Sequence, residues 1–145
     1  MTKSFPRNFP LTKDPVNRLK TDTEDTSENL ALTVAEAALD RKAVEIILLN
    51  VAEISSLSDY FVMMTGYSKV QVRAIADAIQ GQVEIEWQRR PLRTEGKAEG
   101  TWVLQDYGDV IVHIMMPRER EFYNLEAFWG HAERIPLPNS DDTEG

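Results

Sequence analysis

The chain has 145 residues, 42% of them hydrophobic, with a formal net charge of −8, two histidines and no cysteine. That length suits one domain with a real core, and the missing cysteines exclude a disulfide framework, a thiolate zinc site and a cysteine nucleophile. The negative charge argues against a free-standing nucleic-acid binder, which usually carries a basic face, and leaves room for a partner that is itself basic.

The opening MTKSFPRNFP has no apolar h-region, so it is not read as a secretory signal. No stretch approaches the roughly 18 uninterrupted apolar residues of a membrane span, and a cytoplasmic protein is expected. Charge is uneven along the chain. Lys3, Arg7, Lys13, Arg18 and Lys20 face a single acid in the first 20 positions, and acids dominate 21–30 and 136–145. Both ends are rich in Pro, Thr, Asp, Glu and Asn and lack apolar periodicity. We expect tails over about 1–26 and 136–145, unable to offset the entropy of ordering, around a folded unit at 27–135.

Residues 27–40 (SENLALTVAEAALD) predict a helix with Leu30, Val34, Ala37, Ala38 and Leu39 near one face. VEIILLNV (44–51) predicts a buried central strand, SSLSD (55–59) a loop, and YFVMMT (60–65) a second buried strand. After Gly66, the run Ser68-Lys69-Val70-Gln71 fits a capping box. Val72, Ile75, Ala76, Ile79 and Val83 then mark an amphipathic helix to about Trp87. Three extended pieces follow, at 92–96, 101–106 and 109–115. Pro117 opens a last helix over 117–130, with Phe122, Leu125 and Trp129 on its buried face and Arg118 to Glu121 as a solvated first turn. The fold class is α/β (α+β): a mixed sheet of about five strands with helices packed on it. The strand–helix–strand unit at 60–96 is expected to be a parallel pair.

The last two strands predict a hairpin through Tyr107-Gly108. Asp106 then faces Asp109, Leu104 faces Ile111, and Trp102 faces His113, all on one side of the sheet. Val103, Val110, Val112 and Ile114 take the other, because side chains alternate strictly. The aliphatic side suits packing under helices. The Trp102 side, left half open with an acidic edge, has the character of a protein-binding surface.

Catalytic readings are weaker. Asp106 and Asp109 lie at a turn, where Asp is common, and His113 is expected roughly 13 Å along the strand, so the three do not meet at one atom. Gly66 and Ser68 in TGYS could present backbone N–H groups to a phosphate, yet they also make an ordinary strand-to-helix turn. A magnesium-dependent nucleotidyltransferase needs a strand-borne acid pair near Gly66, and Asp77, Glu84 and Glu86 do not form one. Ser55, Ser56, Ser58 and Asp59 have no histidine nearby in sequence. His131 reads as an exposed helix-end residue.

The blocks SSLSDYFVMMTGYSKVQVRAIAD, Glu95-Gly96, TWVLQDYGDVIVHIM and REREFYNLEAFWG, in this order and spacing, resemble the ribosomal silencing factor (Iojap-related) family over about 30–131. The resemblance implies a nucleotidyltransferase-like fold without the catalytic acids. It implies a non-enzymatic protein with no cofactor and no metal, which binds the large ribosomal subunit through its fourteenth protein. Blocking small-subunit joining would lower translation when nutrients are scarce. It also assigns Glu95 and Trp102 to the contact surface, with Asp106, Asp109 and His113 in the same partner-binding signature, and Leu104 joins these candidates from its place on the hairpin face. Neither a membrane nor a direct sequence-specific nucleic-acid contact is implied. Two alternatives stay open: the magnesium-dependent nucleotidyltransferase, and a homodimer that uses the hairpin face on itself.

Overall fold

The computed structural model describes residues 26–138, so of the tails expected over 1–26 and 136–145 all but residues 26 and 136–138 lie outside the described residues. The elements run α1 (Thr26–Asp40), β1 (Val44–Asn50), β2 (Tyr60–Thr65), α2 (Lys69–Trp87), β3 (Arg93–Glu95), β4 (Trp102–Asp106), β5 (Val110–Met115), α3 (Pro117–Tyr123), α4 (Leu125–Phe128) and β6 (Glu133–Ile135). The strands form one six-stranded sheet in the order β3-β4-β5-β2-β1-β6.

Helix α1 buries Leu30, Ala31, Val34, Ala37 and Ala38, a face of mostly small residues that allows close approach to its neighbours. Leu39, expected on that face, is 41% exposed. Nine positions beyond Leu30, it lies half a turn round the helix. The helix closes with Lys42 in the left-handed region (φ 65). The Ala43 N–H bonds the Ala38 carbonyl and the Lys42 N–H bonds the Leu39 carbonyl, a Schellman ending. Gln71 Nε2 on α2 donates to the Arg41 and Lys42 carbonyls and ties the two helices together there.

Strands β2 and β5 are buried along their whole length and pair in parallel, Tyr60 with Val110 through Thr65 with Met115. The expected parallel pair at 60–96 is therefore corrected. β3 does run in the direction of β2, but the crossover through α2 brings it to the far edge, antiparallel to β4, and the parallel strand beside β2 is β5. β1 is less central than its apolar run suggests. A bulge between Val44 and Ile47 and a positive φ at Glu45 break its pairing, and only Leu48 and Leu49 are buried within the strand. The sixth strand, β6, pairs with β1 at Leu48–Asn50. It was missed because Glu-Arg-Ile is too short to show a period, and it lies at the border of the expected tail. Leu137, inside that expected tail, packs against the core.

One face of the sheet carries Val62, Met64, Val103, Val110, Val112 and Ile114 under α1 and under Val72, Ile75, Ala76, Ile79 and Val83 of α2. The opposite face has a smaller cluster of Leu49, Val51, Phe61, Met63 and Ile111, covered by Leu125, Trp129 and Ala132. The last helix is two pieces, not one. Asn124 adopts a left-handed conformation (φ 46) between α3 and α4, which rotates the phase of the side chains across the break. Leu125 and Trp129 stay on the sheet, while Phe122, expected with them, is 77% exposed.

The two sheet faces make a testable pair. Val112 is fully buried beneath α1 and α2, so Val112→Asp places an unpaired charge in the main core. That costs several kcal/mol, a large share of the roughly 5–15 kcal/mol that holds a domain together. Circular dichroism is expected to show loss of the cooperative thermal transition. A variant with a native-like melt would mean the core face is misassigned.

Candidate functional site

The β4–β5 hairpin turns through Gly108-Asp109. Tyr107 N donates to the Val110 carbonyl at 2.8 Å, and Gly108 takes the positive φ (94°) that the first position of such a tight loop favours. Trp102 thus pairs with Met115, Leu104 with His113, and Asp106 with Ile111. The pairing is two residues away from that expected for a Tyr107-Gly108 turn. A slip of two preserves which side each residue takes. Trp102, Leu104, Asp106, Ile111 and His113 share the outer face as expected, and Val103, Val110, Val112 and Ile114 share the inner one.

Trp102 is half-buried. Its indole Nε1 donates to His113 Nδ1 at 3.1 Å, diagonally across the hairpin, and its ring lies 4.9 Å from that of Tyr123. The row of rings continues from His113 to Phe61 at 5.8 Å and from Phe61 to Trp129 at 5.0 Å, both edge-on. His113 is only 8% exposed, and burial lowers its pKa from 6.5 to about 4. The neutral ring keeps an acceptor for the indole. His113 is a support behind Trp102 rather than an exposed contact.

In front of Trp102 lies a concavity of about 640 Å³ bordered by Leu104, Tyr123 and three acids, Glu95, Glu99 and Glu119. Glu95 accepts from Arg93 Nη1, and Arg93 Nε donates to Asp106 Oδ2 at 3.2 Å, so one guanidinium sits between two carboxylates on this edge. Asp106 Oδ1 also accepts from the Gly108 amide at 2.8 Å, the turn role that Asp commonly takes.

Asp109 is a correction. The expected facing of Asp106 and Asp109 does not occur, because Asp109 is itself a loop residue. Its carboxylate accepts from Arg89 Nη2 at 2.7 Å and from Ser27 Oγ at 2.6 Å, which joins the turn to α1 and to the segment after α2. Burial acts to raise its pKa, and the hydrogen bonds from Arg89 and Ser27 outweigh that and hold it below the usual carboxylate value. Arg120, read as part of a solvated turn, is 7% exposed. It donates to Thr65 Oγ1 at 2.9 Å and to Glu126 Oε2 at 2.8 Å, and spans the Asn124 break to fix α3, hence Tyr123, over β4.

The other candidates settle into structural roles. Ser68 caps α2, its Oγ accepting from Gln71 N at 3.0 Å, while the Gln71 side chain reaches back to Tyr67 N rather than Ser68 N. A Cβ on Gly66 would stand 3.1 Å from Val72 and 3.2 Å from Ile75, so that glycine serves close helix packing. Ser58 is buried and donates to the Tyr60 carbonyl. His131 is exposed, as expected. Among the described residues, no group of three or more His, Asp or Glu side chains is placed to hold a metal ion, and no helix is long and apolar enough to cross a membrane.

The family model described as ribosomal silencing factor during starvation matches residues 24–145. The chain belongs to the ribosomal silencing factor family. Silencing factors from Bacillus subtilis and Halalkalibacterium halodurans are 42% and 38% identical to it, over 76% and 77% of this chain and 91% and 95% of their own lengths. A solved crystal structure of a Chromobacterium violaceum protein superposes with a TM-score of 0.69 at 33% identity, covering 78% of this chain and 92% of that one. The family's description is one of translation regulation at the ribosome.

Within this silencing-factor fold, sequence reasoning missed Glu99 and Glu119 as neighbours of Trp102. A signal for Glu119 was present. Pro117 sets the helix start directly after β5, so the first turn of α3 must lie near the beginning of β4, where Met116 N bonds the Thr101 carbonyl.

The buried His113 gives a pH dependence with a defined sign. Its folded pKa lies below its unfolded one, so the stability it contributes is fully present above about 6.5 and is lost as pH falls through about 4. The gap corresponds to about 3 kcal/mol. Chemical denaturation of the native protein and of His113→Gln, compared from pH 7.5 down to 4, is expected to show the excess loss in the native protein alone. Parallel curves would show that His113 is not held neutral by the fold.

Proposed function

We propose that this protein binds the large ribosomal subunit through its fourteenth protein, without catalysis, and sterically blocks small-subunit joining, which slows translation under nutrient limitation. The docking face is the outer side of β4 with its rim: Trp102 and Leu104 at the centre, Glu95 and Asp106 at the edge, and His113 as the support that orients Trp102. Asp109 is assigned a structural role. The observation that carries the reading is the Trp102 indole, half-exposed yet held by His113 and Tyr123 inside an acid-bordered concavity.

The physical reasons are general ones. Tryptophan is enriched among the few residues that dominate binding energy, above all where its orientation is set in advance. Ribosomal proteins are generally basic, and an acidic rim steers and orients their approach. Phe122 and Phe128 are exposed large rings on the same side of the fold as this face, and they also suit a second copy of the chain. Size measurement with and without ribosomes separates that outcome.

Co-sedimentation with separated ribosomal subunits, paired with light scattering for subunit joining, tests the reading. Trp102→Ala is expected to stay folded and to lose roughly 30-fold in affinity, equivalent to about 2 kcal/mol. Glu95→Lys is expected to weaken binding by an amount that shrinks as salt rises. Full-affinity sedimentation and an intact block to joining by a folded Trp102→Ala protein would remove this surface from consideration.

A further inference from the structure

The Glu95 and Trp102 ends of the concavity are joined by the loop Gly96-Lys97-Ala98-Glu99-Gly100. Gly100 N donates to the Gly96 carbonyl at 2.9 Å, so the loop is a single isolated turn. Both glycines have positive φ, 86° and 79°. A Cβ on Gly96 would fall 2.0 Å from the Trp102 carbonyl oxygen, which means that the loop start and the tryptophan backbone touch. Lys97, Ala98 and Glu99 are exposed. One exposed turn with two glycines does not hold a single conformation unaided.

The order comes from α2. Arg73 Nε donates to the Lys97 carbonyl at 2.9 Å and Nη2 donates to the Ala98 carbonyl at 2.7 Å. One turn further along the same helix, Asp77 accepts from Lys97 Nζ. Gly100 leaves space for this clamp, since a Cβ there would sit 3.1 Å from Arg73 Cζ and 3.0 Å from Lys69 Cβ. A planar guanidinium with two donors suits two successive carbonyls, and a lysine cannot replace both bonds. Arg73 is not among the residues that border the concavity, so any effect on docking passes through the loop.

We infer that Arg73 is a positioning residue for the docking face: from α2 it orders the 96–100 turn and thereby sets Glu99 relative to Trp102 and to Glu95, which β3 holds in place. This rests on the docking reading above. A loop ordered in advance loses less freedom when a partner arrives, and rim charges at fixed spacing orient the encounter better than charges on a mobile loop.

The test uses the full chain and purified large subunits. Arg73→Ala is expected to keep its thermal midpoint within a few degrees and to speed hydrogen exchange at the 97–101 amides, Gly100 above all. Its affinity is expected to be roughly tenfold weaker. Arg73→Lys should recover part of the affinity, because an ammonium can make one of the two bonds. The inference is overturned if Arg73→Ala binds at native strength while Trp102→Ala does not. It is also overturned if amide exchange in the loop is unchanged, or if Arg73→Ala unfolds, which would make the residue a support of the core. If the native protein fails to sediment with large subunits, or Trp102→Ala binds as well as it does, the docking reading falls and the positioning role falls with it. That pattern is distinct from a failure at Arg73 alone.

Discussion

Strand β5 has to bury both of its faces at once. It pairs with β2 on one side and β4 on the other, and all six of its residues are buried. Its inner side lies under two full helices. Its outer side has only two short ones, and they reach Ile111 through Leu125 and Trp129. The remaining outer positions, His113 and Met115, need another cover, and Trp102 with Tyr123 supplies it. The half-exposure of Trp102 follows from this arrangement: its inner edge closes the sheet and its outer edge is left to solvent. The imidazole beneath it stays neutral because the same cover keeps water away.

Much of this was legible in the chain, for identifiable reasons. Val72, Ile75, Ala76, Ile79 and Val83 repeat at helical spacing, and all five are buried. The hairpin faces were right although the register was not, because parity survives a slip of two and fails only at a slip of one. The turn itself was misplaced because Tyr107 and Gly108 look like a loop pair, whereas Tyr107 is buried and closes the loop across from Val110. What stayed hidden depends on contacts far apart in sequence. Nothing local marks Arg120 as the partner of Thr65, nor Asp109 as the partner of Arg89 and Ser27. The break at Asn124 was hidden for another reason: one non-glycine residue in the left-handed region is rare enough that unbroken periodicity is the natural expectation.

The acidic edge is less simple than a count of carboxylates suggests. Arg93 lies between Glu95 and Asp106 and neutralises part of their field. Both pairs are solvent-accessible and contribute little to stability, so their importance is geometric. Arg93 holds the two carboxylates at the rim, and a cationic partner can compete for them. Glu99 and Glu119 border the same concavity, and among the described residues neither forms an ion pair.

The Asn124 elbow separates two surfaces that a continuous helix would have coupled. On the sheet side, Leu125 and Trp129 are locked against Phe61 and Ile111 and tolerate little change. On the solvent side, Phe122 and Tyr123 stand clear of that packing, with Arg120 anchoring the short helix from beneath. In an unbroken helix, exchanging an outer side chain for a bulkier one would press on the inner side through the shared axis. Here the strain stops at one peptide unit. Phe122 can therefore change in size and polarity while the inner seam stays intact, a modularity obtained within seven helical residues before the bend.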